Sequence, residues 1–273
     1  MKAILEWSDM GSLSTTAPRT SDWTVVIPAA GRGSRLGFSL PKILYPIGDK
    51  TILDQLLNTF ETLAQHIIII ASPSGKSPIE EHLAARSSIT GVSIAVQPEP
   101  RGMADAILYA RDIVTTPHAL VVWGDQATVS ERTCRLCMVA HEARLNAQLT
   151  FPTFMKTNPY IDVQREPSGR IKKILQKREG EITSTVGEND CGVFLFNSAR
   201  LFALLSEHRQ TNVARGANTK EFNLLPLLPL FDDGHGSAQT LRVSEESETL
   251  GVNTPEDGRA VAATLSSNSR AEI

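Results

Sequence analysis

The sequence predicts an α/β protein: a three-layer, Rossmann-like, mostly parallel sheet that carries a small lid lobe. Three observations lead there. From residue 24 to residue 153, apolar runs of strand length alternate with amphipathic segments of helix length, the order expected of parallel strands joined by right-handed crossovers. One run carries four consecutive isoleucines, Ile67-Ile68-Ile69-Ile70, too apolar for a sheet covered on one face only. The first run ends in a glycine-rich turn, Ala29-Ala30-Gly31-Arg32-Gly33-Ser34-Arg35, at the carboxyl end of a strand, where open sheets of this kind bind ligands.

Taken in order, residues 24–28 read as the first buried strand. Thr51 caps a helix over 52–63, with Ile52, Leu56, Leu57 and Phe60 on one face. A strand over 66–71, a short helix over 78–86 and a strand over 92–97 follow. Next come a helix over 102–115, a strand over 119–123, a helix over 131–145 and a strand near 148–153. Beyond Thr153 the pattern changes. Residues 160–165 and 170–176 make a strand pair across the turn Glu166-Pro167-Ser168-Gly169. A strand over 191–196 and a helix over 199–208 precede an apolar segment, 221–231, broken by Pro226 and Pro229. A late strand over 239–243 and a helix over 255–265, with Pro255 in its first turn, complete the chain. Residues 1–22 read as a flexible N-terminal extension, 23–265 as a single domain, and 266–273 as a flexible tail.

Composition narrows the function. At 41% hydrophobic and 21% charged, the 273 residues are those of an ordinary globular chain. A net charge of −3 offers no basic face, so no nucleic-acid partner is expected. No apolar stretch reaches the ~18 residues that span a bilayer, and the first 22 residues lack a signal-peptide core. A cytoplasmic protein without a membrane partner is the expectation; a homo-oligomer is left open. Three cysteines make no disulfide framework. Cys134, Cys137 and His141 fall on one helix, which makes a metal site conceivable, but two buried thiols are the plainer reading.

The glycine-rich turn suits a nucleoside triphosphate. Backbone N–H groups approach phosphates only where side chains are absent, and Arg35 and Lys42 stand ready to neutralise their charge. Two better-known phosphate loops fit less well. The dinucleotide fingerprint needs a third small residue where Leu36 stands, with Gly37 one position late, and no acidic residue ends the next strand. Gly75-Lys76-Ser77 would need a glycine at Ile70 to complete a Walker loop, and reads instead as a solvated turn. Two further strand ends carry candidate groups: Gln97-Pro98-Glu99-Pro100-Arg101-Gly102 and Trp123-Gly124-Asp125-Gln126. A carboxylate directly after a buried strand is a natural ligand for a hard cation, which singles out Asp125.

On these residues the chain resembles the sugar-nucleotide pyrophosphorylases, nucleotidyltransferases that join a nucleoside triphosphate to a sugar 1-phosphate. The matching signatures run in order: Ala29 to Arg35 with Pro41-Lys42, Gln97 with Gly102, Gly124-Asp125, and Gly251-Val252-Asn253-Thr254. It is most similar to the uridyltransferase domain of N-acetylglucosamine-1-phosphate uridyltransferases and to glucose-1-phosphate thymidylyltransferases. The resemblance implies a nucleotide-diphospho-sugar transferase fold, with 23–150 as its nucleotide-binding half and 151–250 as its sugar-phosphate-binding half. It implies that Ala29, Ala30, Gly31 and Gly33 wrap the triphosphate, and that Arg35 and Lys42 act catalytically on the phosphates. Gln97 and Gly102 would read a pyrimidine, UTP being the first choice of nucleotide. Asp125 and Asn253 would hold Mg²⁺, while Lys177, Asp190 and Gly192 would lie at the sugar phosphate.

The match thins at the acceptor. Uridyltransferase relatives place a Glu and an Asn against the sugar where this chain has Leu175 and Asp190, and a Thr after the base-reading glycine where it has Met103. Nucleotide chemistry is therefore better marked than any one sugar. Two other readings share the motifs. A cytidylyltransferase for a polyol, cyclitol or alcohol phosphate has a similar Pro28-Ala29-Ala30-Gly31 opening; a non-catalytic nucleotide sensor would keep the fold without needing the metal pair.

Overall fold

The four isoleucines of residues 67–70 divide evenly between two cores. Ile67 and Ile69 pack on one face of a sheet, Ile68 and Ile70 on the other, and all four are buried. A run with no polar position is what a strand covered on both sides requires. The computed structural model describes residues 2–11, 17–31, 33–86 and 91–271, so Arg32 of the glycine-rich turn lies outside the described residues.

The first half of the chain contributes β1 (Ile4–Glu6), β2 (Trp23–Pro28), β3 (Pro46–Ile47), β4 (Lys50–Thr51), α1 (Ile52–Phe60), β5 (His66–Ala71), α2 (Pro73–Ala84), β6 (Val92–Val96), α3 (Met103–Leu108), β7 (His118–Val122) and α4 (Glu131–Ala143). The second adds β8 (Leu149–Thr157), β9 (Ile161–Arg165), β10 (Ile171–Gln176), β11 (Val186–Asp190), β12 (Val193–Asn197), α5 (Ser198–His208), β13 (Ala238–Arg242) and α6 (Pro255–Ala271). The main sheet has the order β1-β13-β8-β12-β7-β2-β5-β6, with β11 paired to β8 off that path. The pairs β1–β13, β13–β8, β7–β2, β2–β5 and β5–β6 are parallel; β12 with β7 and β8, and β11 with β8, are antiparallel. This is the mostly parallel α/β architecture that the sequence predicts.

Three layers follow from the side-chain alternation. Val25 and Ile27 face a core built with α1, α4 and Val261 of α6. Val26 faces the opposite core, built with Ala104 and Ile107 of α3, Leu201 and Leu205 of α5, and the Leu225–Phe231 turn. Helix starts are closed by short polar side chains. Thr51 and Asp54 form a capping box on α1, and Ser130 accepts from the Thr133 N–H at α4.

Three local expectations are corrected, and one strand is added. The stretch read as a flexible extension contains β1, whose backbone pairs with Thr240, Leu241 and Arg242 and so covers an otherwise open sheet edge. Gly75-Lys76-Ser77, expected as a solvated turn, lies inside α2, because Ser72 caps that helix and Pro73 fits its first turn. The tail expected from Ser266 is the end of α6, which continues through Ala271. Strand β11 has no apolar signature; Glu188, Asn189 and Asp190 are polar yet buried.

Candidate active site

The strand order turns back at β2, which pairs with β5 on one side and β7 on the other. A crevice opens there at the carboxyl ends of parallel strands. The loop after β2 and the loop after β7 approach so closely that a Cβ on Gly124 would sit 2.7 Å from the Pro28 carbonyl oxygen. Only glycine permits that passage, and it delivers Asp125 beside the glycine-rich turn. Gln126 then bridges to Gly251, and the Val252 N–H donates to the Asp125 carbonyl at 3.0 Å. This clasp holds Asn253 opposite Asp125. The next turn is fixed by Asp257, whose carboxylate accepts from the Asn253 and Thr254 N–H groups at 2.9 and 2.8 Å.

Lys42 enters from a short 3₁₀ turn, Lys42–Leu44. Gly33 makes room for it: with φ +60°, a Cβ there would stand 2.9 Å from Lys42 Cβ. Lys42 Nζ donates to Asp125 Oδ2 at 2.6 Å and to Asn253 Oδ1 at 3.0 Å, and Arg35 Nη2 donates to the same Asn253 oxygen at 3.2 Å. Four side chains separated by up to 218 positions in sequence thus form one hydrogen-bonded cluster.

At one end of the crevice stand Gln97 and Gly102. Gln97 Nε2 donates to the Gly102 carbonyl at 3.1 Å and to Asp105 Oδ2 at 2.9 Å. Gly102, at φ +115°, lies against the backbone of residue 222; an added Cβ would be 2.4 Å from the Phe222 oxygen. The Phe222 N–H donates to the Arg101 carbonyl at 2.8 Å, and the Ala104 N–H to the Phe222 carbonyl at 3.1 Å. A backbone seam therefore joins the two halves of the chain.

At the other end the groups are buried and mutually bonded. Asn223 Nδ2 donates to Gln176 Oε1 at 2.6 Å, and Asn189 Oδ1 accepts from the Tyr160 and Ile161 N–H groups at 2.9 Å. Asp190 Oδ1 accepts from the Gly192 N–H at 2.6 Å, while Asp190 Oδ2 is buried without a partner among the described residues. Burial pushes the Asp190 carboxyl up to about 6; the Gly192 N–H pulls the other way and the nearby Asp125 charge adds to the rise.

Most of these groups line one cavity of about 550 Å³. It takes in Ala29, Ala30, Gly31, Arg35, Lys42, Gln97, Gly102, Asp125, Asp190, Gly192 and Asn253. Two expected site residues are not on its wall. Gly33 supports Lys42 from behind, and Lys177 is exposed while its neighbour Arg178 lines the cavity. Both residues are exposed on the 3₁₀ turn that begins at Lys177, and the Arg178 guanidinium is ion-paired with Glu221 and Glu179. Sequence reading also missed Gln176, Asn189, Asn223 and Glu221. The tract from Gln176 to Arg178 was the available signal, but nothing in it told which cation lines the cavity.

The oxygen pair fits a divalent cation. Asp125 Oδ2 and Asn253 Oδ1 converge within 3.0 Å of a single positive atom, Lys42 Nζ. Two protein oxygens meeting at one point are the donor set Mg²⁺ takes where substrate phosphates and water complete its shell. Among the described residues no group of three or more His, Cys, Asp or Glu side chains stands together to hold a metal by itself. Cys134 and Cys137 are buried with their thiols pushed up by that burial, and the ring of His141 is hydrogen-bonded to Thr150.

Residues 25–217 match the family model for the MobA-like NTP transferase domain. The chain belongs to that family. It is a nucleotidyltransferase by membership, and its expected kinship with the sugar-nucleotide pyrophosphorylases is borne out. Among curated relatives it is 27% identical over 233 residues to the bifunctional protein GlmU of Staphylococcus carnosus, covering 84% of this chain and 49% of that protein. The GlmU proteins of Carboxydothermus hydrogenoformans and Listeria monocytogenes serotype 4a match at 26% over 231 and 27% over 236 residues, with the same coverage. This nucleotidyltransferase thus spans about half the length of the curated relatives it matches. Among its described residues no helix is long and apolar enough to cross a membrane.

Proposed function

We propose that this nucleotidyltransferase moves a nucleoside monophosphate, UMP first, from its triphosphate to a sugar 1-phosphate, releasing pyrophosphate. One observation carries the reading: Arg35, Lys42, Asp125 and Asn253 meet in a single cluster on the wall of the cavity that Gln97 and Asp190 also line. The glycine turn supports it, since a Cβ added to Gly31 would meet no atom of the described residues within 4 Å, its chain neighbours aside. The small residue there leaves space for something outside the chain.

The chemistry follows from charge. An acceptor phosphate oxygen forms a bond to the α-phosphorus as the bond to the β-bridging oxygen breaks, and pyrophosphate departs with the electron pair. Both reactants are anions; unit charges ~4 Å apart repel by about 1 kcal/mol in water and by several times more in a drier site. Lys42 and Arg35 offset that repulsion and hold the reactants in line. Asp125 and Asn253 would hold Mg²⁺, which when bound neutralises phosphate charge. To reach a phosphate, Lys42 exchanges its bonds to Asp125 and Asn253 for bonds to the ligand. The acceptor is ionised at neutral pH, so no general base is needed. At the far end, Gln176, Asn189, Asp190, Asn223 and Arg178 face the sugar.

The test is pyrophosphate release over a panel of nucleoside triphosphates and sugar, polyol and alcohol phosphates, with products read by mass spectrometry. A UDP-sugar product is the expected result. Release only with CTP and a polyol or alcohol phosphate would make the protein a cytidylyltransferase. Binding of UTP without release from any pair would make it a sensor.

A further inference from the structure

We propose that Asp105, anchored by Arg209, is a positioning residue that fixes the Gln97 amide so that the site selects a base with a ring N–H beside a carbonyl. The class is that of uracil and thymine. This rests on the preceding reading of the cavity as a nucleotide site.

The argument is a count of hydrogens. Gln97 is 3% exposed, and its Nε2 carries two hydrogens. One goes to the Gly102 carbonyl and the other to Asp105 Oδ2. Both partners are acceptors without a hydrogen of their own, so the amide cannot turn over without setting oxygen against oxygen twice. The polar atom left for a ligand is Oε1, which only accepts, and no donor among the described residues reaches it. The Gly102 N–H, on the same cavity wall, likewise has no acceptor among the described residues. An acceptor beside a donor matches the N3–H and O4 of uracil. Cytosine in that pose sets its bare N3 against Oε1 and its N4 hydrogens against the Gly102 N–H.

Asp105 is itself held. It is 1% exposed, and its second oxygen accepts from Arg209 Nε at 3.1 Å and Nη2 at 2.9 Å. Arg209 follows α5, on the far side of the sequence. Its fork occupies Oδ1, which leaves Oδ2 for Gln97 and keeps a carboxylate buried where an unpaired charge would be costly. In Asp105→Asn, Arg209 draws the amide oxygen and the new NH₂ faces Gln97 Nε2, so the glutamine loses its fixed orientation.

The experiment is equilibrium titration of the full chain with UTP and with CTP at fixed MgCl₂, without acceptor, for wild type, Asp105→Asn and Arg209→Gln. Wild type is expected to bind UTP at least about tenfold more tightly than CTP, because a site built around a hydrogen bond rejects a base lacking it. Asp105→Asn should bring the ratio close to one, and Arg209→Gln should lower it by a few-fold. If Asp105→Asn does not fold, Arg209→Gln decides by the same ratio. A purely structural role would weaken both nucleotides together and leave the ratio alone. An unchanged ratio in the folded variants, or no preference in wild type, overturns the inference. Pyrophosphate release measured on the same preparations keeps the two claims apart: selective binding without release defeats the reaction and spares the positioning role, and release with an unaltered ratio does the reverse.

Discussion

Two parts of the cavity wall are built on opposite plans. Around Arg35, Lys42, Asp125 and Asn253, charged and amide groups on loops bond to one another at a partly open rim, where Lys42 and Asp125 are 17% and 23% exposed. Around Gln176, Asn189, Asp190 and Asn223, the side chains are buried and, apart from Asp190 Oδ2, engaged with neighbours. On the proposed reading, the first plan leaves charges free to change partners as phosphates arrive and leave. The second fixes a shape in advance, with a single unanswered acceptor. Parallel strand ends with glycine loops supply one; the antiparallel strands β10 and β11 and the segment near Phe222 supply the other.

Asp125→Ala should break the rim outright. Turnover should fall on the order of a thousandfold across a wide Mg²⁺ range, with the thermal transition retained; near-normal kcat would remove Asp125 from the metal site. Lys42→Ala comes next, with kcat reduced about a hundredfold and triphosphate affinity changed little, since its charge counts most as phosphates react. An effect confined to KM would contradict that role.

Asp190→Asn tests the other end. Acceptor KM should rise about tenfold with the nucleotide KM unmoved. It also has a signature in stability. Because the folded carboxyl is raised from 3.8 to about 6, the folded state holds its proton more firmly than the unfolded state. The stability from that proton is complete below pH 3.8 and is lost as pH rises through about 6. Denaturant unfolding should therefore show the variant gaining about 2 kcal/mol on wild type between pH 4 and pH 7. A constant difference between the two would mean that Asp190 ionises as freely as in the unfolded chain. Smallest is the contrast of neighbours: Arg178→Ala should raise acceptor KM about tenfold, while Lys177→Ala should stay within about twofold. Equal effects would erase the distinction between the two cations.

The difference in plan also decided what the sequence could reveal. Glycines and cations after apolar runs announce a phosphate site because few other uses require them together, and Gly31, Arg35, Lys42 and Asp125 were legible for that reason. The alternation of strand and helix made the parallel core equally plain. The buried part was less so: Asp190 and Gly192 could be picked out, but Gln176, Asn189 and Asn223 could not. Strand β11 is polar because its buried side chains bond to groups elsewhere in the protein, Glu188 to Thr153 and Arg165 and Asn189 to the Tyr160 and Ile161 N–H groups, so no hydrophobic period marks it. Asn223 and Gln176 meet across 47 positions of sequence, and pairing of that kind leaves no local trace. At Lys177 and Arg178 the two cations are chemically alike from sequence; only the cavity wall, which Arg178 lines, separates them. Strand β1 escaped notice because three residues are too few to show a period.

One consequence lies in the stitching between Arg101, Ala104 and Phe222. A crevice laced backbone to backbone on that flank cannot gape there without breaking both threads. On the proposed reading, traffic passes instead by the lip where Gly31 and Arg35 are exposed, and Arg35 would be the first contact for an arriving triphosphate and the last handhold of the departing pyrophosphate.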